Sequence, residues 1–103
     1  MSVVVVATIT PQPEHAQAVK DAVLAAVPQV HTEDGCLRYA LHESRDGSLV
    51  MIEEWESPEA LATHGKGAAL QELSGRLDGK LTGAPELTLL TGIPAGDEAK
   101  GRL

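Results

Sequence analysis

The sequence predicts an α+β fold: a ferredoxin-like, four-stranded antiparallel sheet with helices on one face. Three observations carry that expectation. Val3 to Ile9 (VVVVATI) is an unbroken, mostly β-branched run. Gly35 to Trp55 reads as two alternating strands joined at Asp46-Gly47. Helical patterns follow the first and third strands, and Glu86 to Thr91 (ELTLLT) supplies a last strand. The order is β-α-β-β-α-β, with the second helical region broken in two.

Because Val3 to Ile9 is apolar at successive positions, the strand needs cover on both faces. The chain's own helices can cover one. A chain of 103 residues leaves little for the other, which points to a second copy, a homodimer. Thr10-Pro11-Gln12-Pro13 is a turn, with Pro13 suited to the first helical position. Ala16, Val19, Ala22, Val23, Ala26, Val27 and Val30 then fall on one helical face, small enough to lie close on a sheet. Pro28 removes the hydrogen bond to the Leu24 carbonyl, so a kink or an early end is expected there. The stretch 31–35 is the exit turn.

The segment Gly35 to His64 holds every aromatic residue of the chain, Tyr39 and Trp55. Alternation places Leu37, Tyr39 and Leu41 on one strand face, and Leu49, Met51, Glu53 and Trp55 on one face of the next. Asp46-Gly47 fits a type I′ turn, with positive φ at both central positions. Ser57-Pro58-Glu59 opens a helix with Ser57 as N-cap and Glu59 at the positive end of the dipole. Leu61 and His64 lie on that helix, and Gly65 ends it. Ala69, Leu70, Leu73 and Leu77 mark a second short helix. Residues 1–93 are expected to form one domain and 94–103 an irregular tail.

The formal net charge of −7 argues against nucleic acid or an anionic membrane as partner. A single cysteine, Cys36, excludes an internal disulfide and suits a reducing cytoplasm. Val3 to Val6 is far too short to span a membrane, so a cytoplasmic location is expected. The acidic run Glu53, Glu54, Glu56 and Glu59 has no pair of histidines at metal-ligand spacing beside it, so no metal site is expected. Glu53 shares the face of Trp55 and needs a partner if buried, with Arg38 or a histidine across the sheet as candidates. No phosphate loop or nucleophile elbow is present.

Three stretches together resemble the antibiotic biosynthesis monooxygenase family of dimeric α+β barrel proteins: Gly35-Cys36-Leu37-Arg38-Tyr39, the run Ile52 to Leu61 (IEEWESPEAL), and His64. The first strand and the helix at Pro13 fit as well. The resemblance implies two sheets packed face to face in a homodimer, with one pocket per subunit between sheet and helices. It also implies oxidation of a small aromatic polyphenol, a quinol or anthrone, by O2 as co-substrate without metal or flavin. Haem-degrading members use an asparagine on the first strand. The matching position here is Ala7, and the chain has no asparagine, which argues against that activity.

Such an oxygenase needs a base to form the phenolate, an apolar cavity, and donors that stabilise the anion. His64 is the candidate base, since imidazole titrates at about pH 6.5. Trp55 is the candidate cavity wall and N–H donor, and Tyr39 can hydrogen-bond a substrate oxygen. Each has a plainer role: Trp55 and Tyr39 as core residues, His64 as a cap on helix carbonyls. Arg38 and His42 point to the opposite strand face, toward the expected dimer interface, and His15 and His31 are expected to be solvated. The alternative function is a non-catalytic dimer that binds a small hydrophobic or aromatic molecule in the same pocket.

Overall fold

The computed structural model describes residues 2–103. Strand β1 (Val3–Ile9) leads through a 3-10 turn at Pro13–His15 into helix α1 (Ala16–His31). A hairpin of β2 (Cys36–Glu43) and β3 (Leu49–Trp55) follows. Helices α2 (Pro58–Gly65) and α3 (Ala68–Leu77) then precede β4 (Glu86–Leu90). The strands lie in the order β2-β3-β1-β4, every pair antiparallel. This is the expected ferredoxin-like sheet, with the first strand in its interior.

Register divides the sheet into two faces. Val5, Ala7 and Ile9 pair with Glu53, Met51 and Leu49, and all six are buried on the helical side. Val19, Val23, Ala26 and Val30 of α1 pack into the same core. On the other face Val6 pairs with Ile52 and Thr8 with Val50, and these four are half-buried. Val4, also on that face, is buried, in a cleft it shares with Leu90, Ile93 and Leu103. Residues 91–103 contain neither helix nor strand.

Pro28 neither ends α1 nor shortens it, for the helix continues to His31. The carbonyl freed by Pro28 belongs to Leu24, and both residues are exposed. Water can hydrate that carbonyl, so the helix tolerates the missing bond. The hairpin turn also departs from the type I′ expectation. Gly47 has φ +91°, but no non-glycine residue among those described has positive φ. Instead the Gly47 amide donates to the Ser44 carbonyl (3.0 Å) and the Ser44 amide to the Ser48 carbonyl (2.8 Å). This is a longer loop with glycine at its left-handed position. Asp46 Oδ1 accepts from the Ser48 amide (2.9 Å) and hydroxyl (2.6 Å), which holds the aspartate in an Asx turn.

Leu37 is a further correction. Cys36 pairs with Trp55 while Arg38 pairs with Glu54, so Leu37 is the extra residue of a bulge. It is 56% exposed, whereas Tyr39 and Leu41 pack in the core as the alternation predicts. Gly65 is the last residue of α2, with Lys66 as its cap.

Candidate active site

The hairpin delivers the site residues in alternation. Leu49, Met51, Glu53 and Trp55 all point into the helical side of the sheet and are all buried. Beyond Trp55 the chain turns at Ser57, whose hydroxyl accepts the Ala60 amide (3.1 Å) as the predicted N-cap. Two turns of α2 then carry His64 back over Trp55. His64 is 5% exposed, so it belongs to the interior rather than serving as a solvated cap.

Three rings meet there. The His64 imidazole stacks on the Trp55 indole, with centroids 4.4 Å apart and planes 27° apart. Tyr39 meets both edge-on, 5.5 Å from His64 and 6.5 Å from Trp55. Two carboxylates complete the cluster. Trp55 Nε1–H donates to Glu53 Oε1 (2.9 Å), and His64 Nδ1 lies 2.7 Å from Glu33 Oε1. Glu33 comes from the loop after α1, a residue the sequence reading assigned only to a turn. It reaches His64 because that loop abuts α2 closely. A Cβ at Gly35 (φ +81°) would lie 2.6 Å from the Ala60 Cβ, so only glycine permits the approach.

Tyr39, Glu53 and His64 form the polar end of a cleft of about 360 Å³ between the sheet and helices α2 and α3. Its remaining walls are mainly apolar: Val5, Ala7 and Met51 from the sheet, Leu61, Leu70 and Leu73 from the helices. Leu87 and Leu89 of β4 also line it, and both are largely exposed. That volume lies toward the lower end of the range for small-molecule pockets, about 300–1,000 Å³. Trp55 does not line the cleft. It is fully buried behind His64 and its N–H is committed to Glu53, so the expectation of a tryptophan wall and substrate donor is corrected. Glu53 finds its partner in that indole rather than in Arg38.

Electrostatics separates the roles of the polar groups. Burial, reinforced by the charges of Glu53 and Glu33, pushes the Tyr39 phenol well above its ordinary range. Tyr39 is therefore a hydrogen-bond donor and not a base. Burial also raises Glu53, against the opposing pull of the Trp55 N–H and of His64. No buried side-chain nitrogen or oxygen among the described residues lacks a partner. Among the described residues neither His64 Nε2 nor the Tyr39 hydroxyl has a hydrogen-bond partner, and both side chains line the cleft. His31, half the expected solvated pair, is exposed but hydrogen-bonds the Tyr39 carbonyl (2.9 Å), and His15 is half-buried. His42 is exposed on the other face and bonds the Ala40 carbonyl (3.1 Å). The described residues bring together no group of three or more histidine, cysteine or acidic side chains suited to a metal ion.

A family model for antibiotic biosynthesis monooxygenase matches residues 2–75, which include β1, the hairpin, α2 and every residue of this cluster. The chain belongs to the antibiotic biosynthesis monooxygenase family. Among curated relatives it is 38% identical over 63 residues to a Mycobacterium tuberculosis protein named "Putative monooxygenase Rv0793". That alignment covers 60% of this chain and 62% of the relative, less than two thirds of its length. The solved structure of Rv0793 superposes with a TM-score of 0.87 at 28% identity, covering 94% of this chain and all of that one. The PA3566 structure from Pseudomonas aeruginosa gives 0.83 at 30% identity, over 89% of this chain and 94% of that one. A Caulobacter crescentus structure described as "a putative antibiotic biosynthesis monooxygenase" gives 0.83 at 28% identity, over 89% of this chain and 90% of that one. No helix among the described residues of this family member is long and apolar enough to cross a membrane.

Proposed function

We propose that this protein is a cofactor-independent monooxygenase that oxidises a small aromatic polyphenol, of quinol or anthrone type, with O2. The observation that supports it most is a buried imidazole, open at Nε2, at the polar end of an apolar cleft. In this reading the substrate's ring system lies among Val5, Met51, Leu61 and Leu70, with one hydroxyl at the polar end. His64 Nε2 takes the phenolic or enolic proton. The resulting anion is stabilised by the Tyr39 hydroxyl, which keeps its own proton because burial has raised it.

The anion, unlike the neutral phenol, gives up an electron readily. O2 accepts it, and recombination of the two radicals forms a peroxide at the substrate carbon. For an anthrone-type carbon, loss of water from that peroxide leaves a carbonyl, so one oxygen atom stays in the product and the other leaves as water. The proton held by His64 returns during that loss. Dry walls exclude the water that would otherwise solvate the anion and slow electron transfer. The acting unit is a homodimer, in which a second copy covers Val6, Thr8, Val50 and Ile52.

Oxygen uptake by chelator-treated protein, across a panel of reduced quinones and anthrones, tests the reading. Consumption above autoxidation is expected for the wild type and about 10²-fold less for His64→Ala. Equal rates in the two would overturn it. Saturable binding without uptake would make the protein a carrier of aromatic molecules instead.

A further inference from the structure

We infer that Glu33 is a positioning residue that fixes the tautomer of His64, so that a bare Nε2 faces the apolar cleft. The inference rests on His64 being the base proposed above, and it adds a residue from outside that cleft. Glu33 Oε1 lies 2.7 Å from His64 Nδ1, a distance typical of a charge-assisted bond. A carboxylate accepts and cannot donate, so Nδ1 carries the hydrogen and Nε2 holds the lone pair. Free imidazole favours the opposite tautomer. A base built on Nε2 therefore needs something at Nδ1 to reverse that preference.

The placement of Glu33 supports this role. His64 separates two cavities. One is the apolar cleft with Tyr39 and Glu53. The other, also about 360 Å³, lies on the far side and is lined by Gln29, Thr32, Glu33, Asp34, Thr63 and Gly67. The Glu33 side chain is 23% exposed, so it meets solvent from outside the apolar cleft. Glu53 cannot substitute for it. Its Oε1 is held by the indole, and burial favours its neutral form. The ring is held in place by Trp55 on its face and Glu33 at its edge. When His64 takes up a proton, Glu33 stabilises the imidazolium from the solvent side.

The first test needs no substrate. Protein labelled with ¹⁵N-histidine is examined by long-range ¹H–¹⁵N correlation, with His64 assigned by its loss in His64→Gln. The wild type is expected to show a protonated Nδ1 and a bare Nε2. Glu33→Ala is expected to move the ring toward the Nε2–H form. Formate, small enough for the far cavity, is expected to restore the original pattern. Glu33→Gln serves as the second variant should Glu33→Ala unfold, and its neutral amide is expected to leave a mixture of tautomers.

With an oxidised substrate in hand, Glu33→Ala is expected to lower kcat about 10²-fold with KM within about twofold, and formate to recover at least about 10-fold. A wild-type ring carrying its hydrogen on Nε2, or a tautomer indifferent to Glu33, would overturn the inference. Absence of any oxidised substrate would remove the oxygenase reading instead, while the spectra still decide the tautomer.

Discussion

The His64 imidazole lies flat on the Trp55 indole, 4.4 Å centroid to centroid, while the indole N–H is held by Glu53. The His64 ring and a buried carboxyl group are thus tied to different parts of one tryptophan. Trp55 acts beneath the site rather than within the cleft. Trp55→Ala is expected to cost about 3–5 kcal/mol of folding stability, read as a fall in the urea midpoint, because the residue is fully buried. Trp55→Phe keeps a ring under His64 but strips Glu53 of its donor, and should cost less.

Glu53 makes stability depend on pH in a direction opposite to most carboxylates. Its folded-state pKa is raised by burial, so the folded chain binds the proton more tightly than the unfolded chain. Below the ordinary value of 4.5 the group is neutral in both states and its contribution is fully present. As pH rises through the folded value, that contribution is lost. Glu53→Gln keeps an acceptor for the indole and removes the titration. The Tm of this variant minus that of the wild type is expected to increase from pH 4.5 upward; a flat difference would contradict the assignment.

Gly35 combines a left-handed backbone with a close approach to Ala60. Gly35→Ala is expected to destabilise the fold by about 2 kcal/mol or more, since strain and clash act together. The same change should loosen the loop that bears Glu33. In the ¹⁵N spectra it is therefore expected to disturb His64, which lies on a different element.

The second face of the sheet yields a prediction about assembly. Val6 and Ile52 form a cross-strand apolar pair there without a helix above them. Sedimentation is expected to give a dimer at micromolar concentration, and Ile52→Lys a monomer, because a buried, unpaired ammonium is costly. A wild-type monomer would contradict the packing of two sheets.

Most of the architecture was legible because it rests on local periodicity. Alternation through Leu49, Met51, Glu53 and Trp55, the Ser57 cap and the β-branched first strand each declare themselves within a few residues. The departures had tertiary or side-chain causes. Leu37 left its face through a bulge, the Asp46 carboxylate chose the turn type, and solvent at Leu24 let α1 run through Pro28. The site was partly legible for the same reason. His64 and Tyr39 meet at the cleft as their strand and helix positions suggest. Glu33, by contrast, is 31 residues from His64 and sits in a turn sequence with no periodicity. The Asp34-Gly35 step beside it signals only that the chain bends. Trp55 was placed on the correct face, but depth within that face is set by the helix above it, which strand alternation does not report.

The most direct test of the central claim separates proton removal from oxygen chemistry. An anthrone-type substrate is mixed with the protein under strictly anaerobic conditions while its absorbance spectrum is followed. The account predicts that the red-shifted band of the substrate anion forms with the wild type at neutral pH and is absent with His64→Ala. Admitting O2 should then discharge the band as product appears. Anion formation undiminished in the variant, or turnover with no anion formed in the absence of O2, would contradict it.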